Sequence, residues 1–187
     1  YETEIVKNVD IYTGGFTARF GNRVSAVVDV TTRDGNKKNF QGRISMNPWA
    51  SKVILEGPLG KKTIDNASSV SYILSGKYSY LDKSSKVFYP HIANNLPYSF
   101  ADLYGKINFS AKSGNKLSLF GFNFRDNANF LNLADFSWQN SGIGMNTTIV
   151  PQESNLMVNI RLNYSNYGID LKEADNKIKQ SHISGFE

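Results

Sequence analysis

Apolar and polar residues alternate with a period of two along most of the chain, the pattern of a β-strand whose faces meet different surroundings. The cleanest run covers 156–167. Leu156, Val158, Ile160, Leu162 and Tyr164 share one face, and Met157, Asn159, Arg161, Asn163 and Ser165 share the other. Over 70–80, Val70, Tyr72, Leu74, Tyr78 and Tyr80 oppose Ser71, Ser75, Lys77 and Ser79. Over 100–112, Ala101, Leu103, Gly105, Ile107, Phe109 and Ala111 oppose Asp102, Tyr104, Lys106, Asn108, Ser110 and Lys112. Over 117–125, Phe120, Phe122 and Phe124 form the apolar face against Gly121, Asn123 and Arg125. Strands are also expected over 41–47, 52–56 and 137–150, and one beginning near Gln180.

Turn signals separate these runs. Ser113-Gly114-Asn115 and 151–155 read as short connections, and Gly57-Pro58-Leu59-Gly60 opens another. Longer polar stretches at 82–98 and 126–136 read as loops. Alternating short turns and long loops suit a membrane β-barrel. Strands of about 9–12 residues exceed the usual soluble length of about 5–6. Aromatics sit near the strand ends, at Tyr78, Tyr80, Tyr98, Phe100, Trp138, Tyr164 and Tyr167, as in the girdles at two lipid interfaces. On this pattern Phe120, Phe122, Phe124, Leu156, Val158, Ile160 and Leu162 are expected to face lipid. A soluble β-sandwich also alternates, because it buries one face of each sheet.

The start of the chain reads differently. Ile5, Val6, Val9, Ile11 and Tyr12 suggest a short strand, and 25–30 is a β-branched run of the kind buried on both sides. Residues 1–39 are therefore expected to form a small unit distinct from the hairpin array of 40–187. Within it, Gly14, Gly15 and Gly21 mark tight turns where a side chain would clash.

The order IYTGGFTARFGNRVSAVVDVTTRDGN resembles the end of the plug domain of TonB-dependent outer-membrane transporters. The resemblance rests on Gly14-Gly15-Phe16, on Ala18-Arg19-Phe20-Gly21, and on the strand from Val27 that ends in Thr31-Thr32-Arg33-Asp34-Gly35. Arg33 stands where Lys is common in that family. SKVILEGPLGKK, SYILSGKYSYLD and PYSFADLYGKINF resemble the first barrel strands of the Bacteroidetes-type members. The Ala-Asn-Gly-Val-Ile pattern of the glycan-importing subgroup, which pairs with a lipoprotein lid, is missing.

The resemblance implies an all-β fold: a fragment of a large transmembrane antiparallel barrel of about 22 strands, preceded by the C-terminal part of the plug. Residues 40–187 would supply its first seven or eight strands. It implies a bacterial outer-membrane location, lipid and TonB as partners, and other outer-membrane or lipoprotein subunits. It also implies energy-coupled uptake through a plugged barrel. Arg19, Arg23 and Arg33 would then meet inward residues such as Asp102, Lys106, Asn159 and Arg161, or line the permeation path. A non-transporting scaffold subunit of an outer-membrane complex is the rival reading, and a secreted β-sandwich adhesin a third.

Composition narrows the chemistry. There are no cysteines, so disulfides and thiolate chemistry are excluded. His91 and His182 are far apart, with no carboxylate cluster to make a metal site. Neither a nucleophile elbow nor a phosphate loop is present, so no enzyme activity and no cofactor are expected. The formal net charge of +5 comes from scattered basic residues, which argues against nucleic acid as a partner. No stretch approaches the roughly 20 apolar residues of a membrane-spanning helix, a criterion blind to barrels.

Overall fold

The computed structural model describes residues 2–14, 26–60, 68–88, 98–130, 134–152, 156–173 and 178–186. The chain divides into two compact units, Tyr1–Arg33 and Asp34–Glu187. Residues 34–39 thus belong with the sheet rather than with the first unit.

In the first unit a 3-10 turn at Thr3–Ile5 leads into β1 (Val6–Tyr12), which pairs antiparallel with β2 (Val27–Thr32). The Glu2 carboxylate caps the turn by accepting from the Glu4 amide at 3.3 Å. Arg33 closes the unit: its backbone N–H donates to the Ile5 carbonyl at 2.8 Å and its Nε to the Glu4 carbonyl at 2.8 Å. Ile5 is buried, whereas Val9, Ile11 and Val28 are exposed. The expectation of a strand buried on both sides therefore fails at 27–30, because a two-stranded ribbon has only one neighbour per strand to cover it.

The second unit is an eight-stranded antiparallel sheet in which every strand pairs with its neighbour in sequence. Its members are β3 (Gln41–Met46), β4 (Ala50–Pro58), β5 (Ser69–Ser79), β6 (Tyr98–Ser110), β7 (Lys116–Phe130), β8 (Ala134–Ile149), β9 (Val158–Glu173) and β10 (Ile178–Phe186). The order β3 to β10 is open, with both edges unpaired among the described residues. One helix, α1 (Leu81–Phe88), stands within the 82–98 stretch expected to be a loop. No described helix is long and apolar enough to cross a membrane. That statement does not bear on strands.

The 126–136 loop is also corrected. β7 continues to Phe130 and β8 starts at Ala134, so strand pairing runs through most of that stretch. The connections run over 47–49, 59–68, 80–97, 111–115, 131–133, 150–157 and 174–177, so the two longest follow one another and the expected alternation of short turns and long loops is not regular. The Ser113-Gly114-Asn115 turn is built as its residues suggest. Gly114 has φ +90°, and the Asn115 side chain accepts from the Val150 amide at 2.7 Å.

Register across the sheet is continuous. One row runs Gly42, Leu55, Leu74, Gly105, Gly121, Ile143, Tyr164, Phe186 across all eight strands. The neighbouring row on the opposite face runs Gln41, Glu56, Ile73, Lys106, Phe120, Gly144, Asn163. The first row belongs to the open face of the sheet. The second belongs to the strap face, named for the segment that crosses it.

Candidate functional site: a strapped polar face behind an apolar belt

The strap is the segment 34–39. Asp34 Oδ1 pairs with Lys106 Nζ at 2.8 Å, the Asn36 amide donates to Glu56 Oε2 at 2.9 Å, and Lys37 Nζ donates to Ser110 Oγ at 3.0 Å. These contacts fall on β6, β4 and β6 in turn, so the strap crosses several strands. Asn36 also folds the segment on itself, its Oδ1 accepting from the Lys38 amide at 2.8 Å and the Asn39 amide at 3.1 Å. At Gly35 a Cβ would overlap the backbone carbonyl of Tyr72, so only glycine lets the strap lie this close to β5.

On the strap face the sheet buries polar side chains beside Ile54, Ile73 and Tyr104. Ser71 is 0% exposed, Asn108 1% and Lys106 9%, with Ser75, Ser79 and Glu56 also buried. Ser118 Oγ donates to Asn108 Oδ1 at 2.6 Å, and Asn108 Nδ2 donates to Ser110 Oγ at 3.1 Å. Hydrogen bonding of this kind makes burial of such groups tolerable, and Ser71 Oγ, buried with no hydrogen-bond partner among the described residues, is an exception. The opposite face is inverted. Leu103 is 60% exposed, and Leu74, Ile107, Leu119, Ile143, Ile160 and Leu162 are also exposed.

The open-face apolar residues form a belt oblique to the rows. On β5 it reaches Tyr78, whose row continues through Ala101 and Arg125 to Gln139 on β8. On β8 the last apolar member is Ile143, four residues away from Gln139 (143 − 139) along the strand. That is a drop of about 13 Å over about 14 Å of sheet width, a slope of roughly 40°. The lower margin moves the same way, from Val70 on β5 to Val158 on β9. A level belt crosses the rows obliquely when strands tilt by about 35–45°, as barrel strands do.

Register separates the residues expected to face lipid. Val158, Ile160 and Leu162 are on the open face, and Leu156 is exposed just before β9. Phe120, Phe122 and Phe124 are on the strap face, in the rows of Lys106, Tyr104 and Asp102. Their common outward placement is therefore corrected. The rings fit because β8 offers glycine opposite them. A Cβ at Gly142 would stand 2.9 Å from Phe122 Cε1, and one at Gly144 would overlap the Phe120 ring. Phe122 and Phe124 stack at 5.1 Å between centroids.

Asp102, Lys106, Asn159 and Arg161 do share the strap face. Lys106 reaches the strap, at Asp34. Asn159 and Arg161 are exposed on β9, about three strand spacings or 14 Å away, where Asn159 Oδ1 accepts from Thr148 Oγ1 at 2.9 Å. Arg33 is engaged within its own unit. Arg19, Arg23, Gly15 and Gly21 lie outside the described residues, as does His91. At Gly14 a Cβ would meet nothing within 4 Å among the described residues, so the clash expected there is not found.

The sequence reading missed the strap. Asp34-Gly35-Asn36 signals a turn, but nothing local announces that Glu56 and Lys106 are its anchors. Among the described residues, no group of three or more His, Cys, Asp or Glu could hold a metal. Comparison with models of protein families, with curated proteins and with solved structures finds no match.

Proposed function

We propose that Asp34–Glu187 forms part of the wall of an outer-membrane β-barrel, and that the protein acts as a TonB-dependent transporter taking up a substrate through a plugged lumen. One observation supports the wall reading above the rest: the strap face buries many polar side chains among its apolar ones while a continuous apolar belt is exposed on the other face. A soluble sheet puts these faces the other way round. Lipid solvates such a belt, and the obliquity of the belt fits tilted strands. The edges β3 and β10 would each pair with a further strand, because an open edge in hydrocarbon costs several kcal/mol per unsatisfied group.

Transport itself rests on the plug-like sequence of 9–35. On this reading the first unit belongs to the plug and no catalysis is required. Two measurements test it in order. The full-length protein should resist alkaline-carbonate extraction from outer membranes; release as a soluble protein ends the wall reading. Deleting the host's TonB should then abolish proton-gradient-dependent accumulation of a substrate from a labelled nutrient panel. Accumulation that is the same with and without TonB would leave the non-transporting scaffold as the better account.

A further inference from the structure

A trough interrupts the apolar belt. Gly105 and Gly121 are register partners and carry no side chain, so they leave a floor of bare backbone two strands wide. Leu74 and Ile143 flank that floor on β5 and β8, Ile107 and Leu119 form one bank, and the lining runs on along the row through Tyr164 to Phe186 on β10. The cavity holds about 640 Å³, within the range of small-molecule sites, and its lining is almost all carbon. Neither glycine is explained by backbone conformation, since positive φ is found only at Gly60 and Gly114 among the described glycines. A Cβ at Gly121 would make only ordinary contacts, at 3.5 Å from the Gly142 carbonyl oxygen and from Ile143 Cγ2. At Gly105 a Cβ would press to 3.1 Å from Leu74 Cδ2, so that glycine answers to its neighbour, whereas at Gly121 the sheet could carry a side chain and instead leaves the space open.

Polarity rises in steps above the trough. One row up, Asn123 and Ser141 face each other across β7 and β8 on the same open face. One row further, Arg125 is exposed and its Nη2 donates to Gln139 Oε1 at 3.1 Å. Among the described residues no carboxylate neutralises that guanidinium. Gly121, Asn123 and Arg125 lie along one strand, with about 13 Å between the first and the last. Carbon, then neutral hydrogen-bonding groups, then a cation is the order that matches an acyl chain, its ester and a phosphate.

We infer that the Gly105–Gly121 trough seats one acyl chain of an anionic phosphoglycerolipid, with the headgroup phosphate at Arg125. The inference rests on the wall reading and assigns that wall a specific lipid. Bilayer lipid at large would cover any apolar belt; the side chain missing at Gly121 and the unneutralised cation above it favour one lipid position over its neighbours.

The test uses the full-length protein extracted in mild detergent. Native mass spectrometry is run with equimolar phosphatidylglycerol and phosphatidylcholine. The wild type should retain one phosphatidylglycerol in preference to phosphatidylcholine by about fivefold, the scale of one basic residue at a membrane surface. Arg125→Gln, at an exposed position, should remove the preference while some acyl binding remains. Gly121→Leu should fill the trough and remove both lipids, and Gly121→Ala should keep them. Equal retention of the two lipids by the wild type, or an unchanged preference in Arg125→Gln, would overturn the assignment. So would retention of lipid A in place of phosphatidylglycerol. Carbonate extraction of the same proteins separates the two levels. A protein that stays in the membrane without selecting phosphatidylglycerol removes only the trough, and one that leaves the membrane removes the wall as well.

Discussion

Lys106 Nζ stands 2.8 Å from Asp34 Oδ1, joining the middle of β6 to a segment more than seventy residues earlier in the chain. The lysine side chain is 10% exposed and the aspartate 38%, so the pair is dry on one side and wet on the other. Such a pair contributes through the cost of breaking it more than through its own attraction. Asp34→Asn should destabilise the folded protein by about 1–3 kcal/mol, read from the urea midpoint of unfolding. Replacing both partners, Asp34→Leu with Lys106→Met, should recover much of the loss. If the double variant is as unstable as the sum of the single ones, the pair is not coupled.

Gly35 governs how close the strap can lie. Gly35→Ala places a methyl group against the Tyr72 carbonyl, and backbone cannot yield as a side-chain tip can. The expected result is a strap lifted from β5 and a new protease-sensitive site within 34–39, seen by limited proteolysis in detergent. A cleavage pattern identical to that of the wild type would show that the strap is not seated there.

Glycines at two registers should behave oppositely. Gly144→Val collides with the Phe120 ring and with Asn163 on the strap face, whereas Gly121→Ala meets only ordinary contacts on the open face. Gly144→Val should therefore cost about 1–3 kcal/mol by overpacking, and Phe120→Ala should recover part of that loss, the Asn163 contact remaining. Gly121→Ala should change stability by about 0.5 kcal/mol or less. Thermal unfolding of the four proteins checks both statements.

The two faces of β7 can be told apart by fluorescence. Leu119→Trp places an indole on the open face and Phe122→Trp places one on the strap face. In liposomes containing brominated lipid, the first should be quenched strongly and the second weakly relative to matched unbrominated liposomes. Equal quenching would remove the distinction between belt and lumen on which the wall reading depends.

Much of the fold is legible in the sequence because strand periodicity is a local property. The runs at 70–80, 100–112 and 156–167 reappear as β5, β6 and β9, with ends shifted by a few residues. The Gly114 turn is legible too, since glycine there supplies a backbone angle other residues resist. The 126–136 stretch suggests a loop because Asp and Asn recur through it. In fact the alternation of 117–125 continues in the same sense: Asn127 and Asn129 are exposed on the open face while Ala128 is 2% exposed on the other.

By itself the sequence determined that this chain is built of two-faced strands, because alternation needs only a period of two and is written residue by residue. Which face is which was decided by tertiary structure. Phe120, Phe122 and Phe124 look outward until register aligns them with Lys106, Tyr104 and Asp102, and until Gly142 and Gly144 make room for two of the rings. Asp34 and Lys106 are likewise unremarkable as separate residues, and only the antiparallel pairing of intervening strands brings them within 2.8 Å. The physical reason is the same in both cases: alternation is a property of one strand, whereas the identity of a face comes from what its neighbours place beside it.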